Sequence, residues 1–190
     1  MLKRTFRLII FCGLSISLFS LQAQESQEIS AQRALLDSAL SKHIDSPKLI
    51  GSATFKVAFW KIYNIALYAD ASNSEPYNGT APYALEIEYL RDFSGEAMAD
   101  KSVELIADQG FEDEYMLEIW QEKMIEIFPD IDKGTVLTGI YTKENTSVFY
   151  GDGQYLGVLD DPDFCEYFFD IWLGEDTSQP DLRAELIPSS

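Results

Sequence analysis

The sequence predicts an α+β fold, in which an antiparallel β-sheet is covered by α-helices. Runs rich in aromatic and β-branched residues, separated by turn residues, predict the strands. Two longer stretches with apolar residues at spacings of three and four predict amphipathic helices. Strands come first, then helices, then strands and helices again, and this order is typical of α+β domains. With 190 residues, the chain is long enough for one domain with its own hydrophobic core.

Three strands are predicted in the first half of the domain. Two aromatic-rich segments at 49–60 and 61–70 are followed by the turn-forming stretch "ASNSEPYNGTAP" and then by a strand at 83–90. The third strand alternates in character, as a half-buried strand does. Its two sets of side chains are Leu85, Ile87 and Tyr89 on one face, and Ala84, Glu86 and Glu88 on the other.

Two helices and a second group of strands follow. Ser94 is a typical N-cap, and Gly110 a typical C-terminal residue, for a helix over 95–109. A second helix over 112–128 is ended by Pro129. Beyond it, "TVLTGIYT", "SVFYG" and "YLGVLD" predict three short strands, the last two joined by a Gly-Asp-Gly turn. "DPDFCEYFFDIWLG" predicts a helix with proline in its first turn, and "QPDLRAEL" a short last helix.

The first 23 residues have the build of a secretory signal peptide. A basic start precedes an apolar stretch, and Ala23 offers a small residue at the cleavage position. A membrane anchor is the alternative, but the apolar stretch is short for a span and contains three serines. We therefore predict cleavage after Ala23 and no membrane span in the exported protein. Residues 24–48 form a polar, weakly helical segment, either packed on the domain or a loose arm, and the domain itself is predicted over 49–187.

Composition argues against several classes of function. The chain carries 32 Asp and Glu against 14 Lys and Arg, a net charge of −18, which disfavours binding to nucleic acid and to anionic membrane surfaces. After cleavage Cys165 is the only cysteine left, so no internal disulfide is expected. His43 is the only histidine, so zinc ligands are too few, and no phosphate-binding glycine motif is present. We predict neither a metal nor a cofactor.

Several segments resemble the bacterial chalcone isomerase-like proteins. They include "KIYNIALYA", the pattern G-x-Y-L-G-x-L-D-D-P-x-F and the pattern F-x-x-I-W-L. The resemblance covers about residues 49–187, in order and without a large gap. It implies an open-faced β-sandwich, a large antiparallel sheet covered on one face by helices. It also implies a bacterial source, and therefore a periplasmic location for the exported chain.

The resemblance implies two kinds of function. The family includes plant enzymes that cyclise chalcones to flavanones, and relatives that bind fatty acids without chemistry. In the plant enzymes, an arginine holds the substrate oxyanion, while a threonine and a tyrosine polarise the ketone with water. An ungapped alignment places Tyr63 at the threonine position and finds no arginine between Gly51 and Lys56. The catalytic constellation is therefore not reproduced, and no catalytic residue is assigned.

Five residues are candidates for ligand binding. Lys56 lies in an aromatic-rich strand and Arg91 follows the third strand, so both are expected to meet a carboxylate or enolate at one end of an apolar cleft. Tyr63 and Tyr68 offer hydroxyl donors, and Thr138 offers a hydroxyl on a later strand. The alternatives are a lysine directed to solvent, an arginine paired with a neighbouring carboxylate, and tyrosines that only pack in the core.

We therefore expect an exported, noncatalytic binder of a fatty acid or a similar amphipathic carboxylate. One alternative is an isomerase or intramolecular lyase for an enone or phenolic substrate, with the oxyanion held by Lys56 or Arg91 and with Tyr63 as the acid. Another is a structural accessory protein whose cleft is filled by its own side chains. A cavity beside these residues would distinguish a binding protein from one with a filled cleft.

Overall fold

The computed structural model describes residues 10–72 and 82–187, which form one antiparallel sheet and five helices. The predicted α+β class is confirmed. The helices are α1 (Ile10–Ser41), α2 (Gly95–Asp108), α3 (Glu114–Ile127), α4 (Pro162–Leu173) and α5 (Pro180–Leu186). The strands are β1 (Pro47–Val57), β2 (Trp60–Asp70), β3 (Tyr83–Tyr89), β4 (Val136–Tyr141), β5 (Ser147–Gly151) and β6 (Gln154–Leu159).

The six strands form a meander, in which each strand pairs with the next along the chain. Two-residue turns join β1 to β2 at Ala58 and Phe59, and β5 to β6 at Asp152 and Gly153. The second of these is the predicted Gly-Asp-Gly turn. Its Asp152 and Gly153 have φ values of 50° and 77°, and such left-handed residues are what a tight hairpin requires.

Helices α2, α3, α4 and α5 pack on one side of the sheet, which we call the inner face. Strand residues of this face include Leu67, Leu85 and Phe149, all buried. Trp120 of α3 and Phe169 of α4 are fully buried against them. Side chains alternate along a strand, so the residues two positions before and after Leu85 in β3 share its face. Tyr83, Leu85 and Ile87 therefore all lie on the inner face, in agreement with the predicted alternation.

Side-chain caps fix where the inner helices begin. Ser94 Oγ accepts a hydrogen bond from the backbone N–H of Ala97, as predicted for an N-cap. Asp113 caps α3 in the same way, and Asp161 caps α4 by accepting from two backbone N–H groups. These caps satisfy amide donors that have no partner within the helix.

Helix α1 packs on the opposite side of the sheet, which we call the outer face. Leu40 and Ile44, at and just beyond its C-terminal end, are buried against Ile140 and other apolar residues of the sheet. Arg33 pairs with Glu86 of β3 at 2.9 Å between Nη1 and Oε1. From Gln32 onwards the segment over 24–48 thus packs on the domain rather than forming a loose arm, and it adds a partial cover to the face that the family resemblance leaves open.

The predicted signal peptide lies partly outside the described residues, because its basic start falls within residues 1–9. Helix α1 begins at Ile10 and continues past Ala23, so cleavage after Ala23 stays a prediction. Most of the predicted turn between β2 and β3 also lies outside the described residues. In the part of the chain that the structure describes, no helix is both long and apolar enough to cross a membrane.

Candidate functional site

A cavity of about 640 Å³ lies between the inner face of the sheet and the helices α2 and α4. Its floor is apolar and buried, with Leu85, Phe149 and Phe169 among the lining residues. Its rim is exposed and includes Val57 from the end of β1 and Lys101 from α2. The cavity therefore leads from solvent into the core of the domain.

Gly139 of β4 helps to make room for the cavity. In the sheet it lies between Leu85 and Phe149, and it lines the cavity floor. A Cβ at this position would lie 3.4 Å from Phe149 and 3.5 Å from Phe169. Any longer side chain would extend from there into the cavity. Gly139 therefore leaves space in the cavity floor that a larger side chain would occupy.

One stripe of α2 forms a wall of the cavity. Ala97, Lys101 and Leu105 follow one another at spacings of four, so they share one side of the helix. Of the described residues that line the cavity, Lys101 is the one with a cationic side chain. Its Nζ lies 2.6 Å from Oε1 of Glu104, and both side chains are more than half exposed. Lys101 is thus a cation at the rim of the cavity that was not among the residues predicted from the sequence, although its helical spacing was visible there.

Tyr63 of β2, one of the five residues predicted to bind a ligand, lines the cavity. Its ring stacks on Phe55, with 4.9 Å between the ring centroids. Its hydroxyl oxygen accepts a hydrogen bond of 2.9 Å from Nε1 of Trp172. Burial raises the pKa of Tyr63 to about 12, although the bond from Trp172 opposes the rise. The phenol is therefore neutral at physiological pH and retains a proton to donate.

The stability of the protein should fall as the pH rises above 10. The phenol of Tyr63 has a pKa of 10.0 when unperturbed and about 12 in the folded protein. Between these values the unfolded state binds fewer protons, so the free energy of unfolding decreases. The protonated phenol of Tyr63 contributes fully to the free energy of unfolding below pH 10, and this contribution is lost as the pH approaches 12. The change is on the order of 2 kcal/mol.

Urea unfolding at graded alkaline pH measures this effect. Tyr63→Phe should lose less stability than the parent between pH 10 and pH 12. Tyr115→Phe, which changes an exposed tyrosine of α3, is the matched control and should behave as the parent. If Tyr63→Phe and the parent lost equal stability, the buried environment assigned to this phenol would be contradicted.

Lys56 and Arg91 do not converge on the cavity. Phe55 and Val57 line it, and because side chains alternate along a strand, Lys56 between them points away and is exposed. The guanidinium carbon of Arg91 lies 4.8 Å from the ring centroid of Trp60, also outside the lining. The expected shared head-group site of these two cations is therefore not formed.

Tyr68 and Thr138 lie on the outer face, away from the cavity. The guanidinium carbon of Arg33 lies 5.5 Å from the centroid of the Tyr68 ring. Thr138 pairs in register with Glu86, and its buried hydroxyl has no hydrogen-bond partner among the described residues. Of the five predicted ligand-binding residues, the structure thus places only Tyr63 in the cavity lining that it describes.

The fold and the cavity together define a class of α+β proteins with one open antiparallel sheet and an apolar site beneath its helices. A family model described as chalcone isomerase-like matches residues 31–187, so the chain belongs to the chalcone isomerase-like family. A crystal structure of a fatty-acid binding protein from Arabidopsis thaliana is similar in fold, with a TM-score of 0.59 and 12% sequence identity. That match covers 75% of this chain and 87% of the other. None of the curated protein sequences compared with the chain matches it.

Proposed function

We propose that this protein binds one fatty acid, or a similar amphipathic carboxylate, and does so without catalysis. The observation that carries the proposal is the cavity of about 640 Å³, with its buried apolar floor and exposed rim. Small-molecule sites typically enclose about 300–1,000 Å³ and are lined mainly by apolar side chains. One solved structure of similar fold is described as a fatty-acid binding protein, which supports the same class of ligand here.

The floor of the cavity suits a hydrocarbon chain. Leu85, Phe149 and Phe169 present carbon atoms only, and each is almost completely shielded from solvent. Each methylene that moves from water into such surroundings contributes about 0.8 kcal/mol. An ionised carboxylate buried at the same depth without a partner would cost far more than this. The tail is therefore bound inside and the carboxylate at the rim.

The rim supplies a cation for the carboxylate. Lys101 lines the cavity and already pairs with Glu104, so a bound carboxylate would share its ammonium group with that side chain. Asp108, three residues after Leu105 in α2, also lines the cavity. Its negative charge limits how strongly an anion is held there. The hydroxyl of Tyr63 is a second donor for a ligand oxygen.

Lys101→Met should weaken the binding of a fatty acid about threefold to tenfold, because an exposed ion pair contributes about 1 kcal/mol. It should leave the binding of the corresponding fatty alcohol unchanged, because the alcohol carries no charge. Isothermal titration of both ligands gives the comparison. Lys123→Met, a lysine of α3 outside the described lining, is the matched control. Equal losses for acid and alcohol would remove Lys101 from the head-group site.

Displacement of a fluorescent fatty acid by saturated acids from octanoate to eicosanoate tests the proposed function. In an enclosed site, affinity should rise with each added pair of methylenes and then level off or fall once the cavity is full. Adsorption on an open apolar surface gives a rise without this limit. If no acid of the series displaced the probe below its own critical micelle concentration, the proposed function would be contradicted.

The isomerase alternative has less support, so we do not propose it. Lys56 and Arg91, the cations expected to hold the oxyanion, are outside the described lining of the cavity. Removal of an oxyanion donor commonly lowers a rate about a hundredfold or more. We therefore expect that the protein does not accelerate the cyclisation of naringenin chalcone above the spontaneous rate. Absorbance decay with and without protein measures this, and a saturable acceleration would contradict it.

The filled-cleft alternative is also less supported, because the space beneath the helices measures about 640 Å³.

We further propose that the chain is exported to the periplasm and cleaved after Ala23. The hydrogen bonds that the structure describes between α1 and the sheet begin at Gln32, so cleavage at that point leaves them intact. Intact-mass analysis of the protein from a fractionated host tests this. A full-length chain in the membrane fraction would contradict it.

A further inference from the structure

The turn between β1 and β2 exposes an unusual amount of apolar surface. We call residues 56–61, together with Arg91 against the ring of Trp60, the hairpin tip. Phe59 is 80% exposed, Val57 54% and Trp60 52%, and the rings of Phe59 and Trp60 lie 5.0 Å apart between centroids. Single exposed apolar residues are ordinary, whereas a contiguous exposed patch marks a surface that binds something. The turn itself is tight, since Val57 and Trp60 are paired and only two residues separate them.

The hairpin tip is also cationic in a strongly acidic protein. Lys56 and Lys61 pair in register at its base, and Arg91 stacks on the ring of Trp60. Residues 47–69 carry no Asp or Glu, although the chain contains 32 of them. In the part of the chain that the structure describes, no carboxylate forms an ion pair with Lys56, Lys61 or Arg91.

Two carboxylates close to Arg91 in the sequence, Glu88 of β3 and Asp92 beyond its end, already accept hydrogen bonds. Glu88 accepts a hydrogen bond from Nδ2 of Asn64. Asp92, next to Arg91, accepts one from the backbone N–H of Lys133. Both still carry negative charge and reduce the positive field of the tip. They do not occupy its three cations, which remain available to an external anion.

We propose that the hairpin tip docks this protein on an anionic lipid surface. Phe59 and Trp60 enter the interfacial layer, where aromatic side chains of this kind are favoured. Lys56, Lys61 and Arg91 meet the lipid phosphates, which attract basic residues within a short distance of the surface. The chemistry of the patch, aromatic at its apex and cationic at its base, matches that of a membrane interface.

The net charge of −18 does not prevent this docking, but it orients it. Charges separated by more than about 8 Å are largely screened at physiological ionic strength. The acidic remainder of the surface is repelled on closer approach, whereas the tip is attracted. The protein is therefore held with its tip toward the bilayer. Two tips carry like charges, so association of two copies through this patch is disfavoured.

Docking would bring the mouth of the cavity to the bilayer. Val57 belongs to the tip and Ile62 follows it directly, and both line the cavity. A fatty acid would then pass between bilayer and cavity with little exposure of its tail to water. This consequence rests on the proposed function, whereas the docking itself requires only the tip.

Flotation with phosphatidylcholine vesicles, with and without an equal part of phosphatidylglycerol, tests the proposal. The parent protein should float with the anionic vesicles and much less with the neutral ones. The fluorescence of Trp60 should shift to shorter wavelength on binding, because this side chain moves out of water. Lys56→Gln combined with Lys61→Gln should weaken partitioning about twenty-fivefold, since each basic residue near such a surface contributes about fivefold. Phe59→Ser should weaken it about tenfold, as a phenylalanine side chain leaves the interface.

Matched controls use the same substitutions away from the tip. Lys48→Gln combined with Lys123→Gln removes two exposed lysines, the first at the opposite end of β1 from the tip, and Tyr155→Ser removes an exposed aromatic ring. These variants should partition as the parent does. The proposal is overturned if tip and control variants bind vesicles equally, or if the parent fails to float with anionic vesicles. A tip-dependent dimer in sedimentation analysis would also overturn it, in favour of a second copy as the occupant.

Titration of a soluble fluorescent fatty acid without vesicles separates this proposal from the proposed function. The tip variants should bind the probe as the parent does. Vesicle binding without fatty-acid binding would leave the docking intact and remove the cavity ligand. Fatty-acid binding without vesicle binding would do the reverse.

Discussion

Ala97→Trp should abolish tight binding of a long-chain fatty acid, with an affinity about fiftyfold lower than that of the parent. Ala97 is exposed and lines the rim of the cavity, so an indole ring at this position occupies the mouth. Excluding about three methylenes of the tail removes roughly 0.8 kcal/mol for each. The substitution adds volume where there is open space, and it disturbs no buried packing.

The helix offers a matched control for this prediction. Ala107 also lies in α2 and is also exposed, but it is outside the described lining of the cavity. Ala107→Trp therefore adds the same side chain to the same helix and should bind as the parent does. Both variants are compared with the parent by fluorescent displacement and by thermal unfolding. Equal affinity in Ala97→Trp and Ala107→Trp would place the ligand elsewhere.

Trp120→Ala should lower the free energy of unfolding by about 3–5 kcal/mol. Trp120 is fully buried between the inner helices, and its ring lies 4.5 Å from that of Phe111 and 5.6 Å from that of Phe164. Its Nε1 donates a hydrogen bond of 3.1 Å to Asp161. Because Asp161 also caps α4, the loss reaches the helix that carries the aromatic floor of the cavity.

Urea unfolding of the ligand-free protein measures this loss. Trp120→Phe should cost less than Trp120→Ala, since it keeps most of the packed ring and loses mainly one hydrogen bond of about 1 kcal/mol. Trp60→Ala makes the same truncation at a half-exposed site and should cost less than about 1 kcal/mol. A similar cost for Trp60→Ala and Trp120→Ala would show that α3 is not held by the packing described above.

Local patterns were enough to predict most of the secondary structure. Each strand or helix of the inner layer has a period that is visible within its own residues, as in the alternation around Leu85. Ser94 was predicted as an N-cap because capping depends on residues only three positions away. Such short-range relations can be recognised in the sequence without any knowledge of the tertiary fold.

The cavity could not be predicted in this way, because it depends on register across the sheet. Gly139 makes room only because β3 and β5 place Leu85 and Phe149 beside it. Lys56 was expected in the cleft. However, the side chains of β1 alternate between the two faces of the sheet, and those of Phe55 and Val57 lie on the inner face. Nothing in the sequence of one strand states which of its two faces meets the helices.

The position of α1 was equally hidden. Residues 24–48, which include the second half of α1, are polar and only weakly periodic, so the sequence left open whether this segment packs at all. The structure fixes it through contacts that are distant along the chain, such as Arg33 with Glu86 and Gln32 with Asp152. Burial raises the pKa of the Glu86 carboxyl above its usual range, and the Arg33 guanidinium offsets part of this rise.

Native mass spectrometry of the protein with an excess of palmitate tests the central claim most directly. If the cavity holds one fatty acid, the parent and Ala107→Trp should each show a complex with a single palmitate. At a palmitate concentration that just saturates the parent, Ala97→Trp should remain mostly ligand-free, because its affinity is about fiftyfold lower. One bound palmitate in all three proteins, or several bound molecules without a defined number, would contradict a single ligand held between the sheet and its helices.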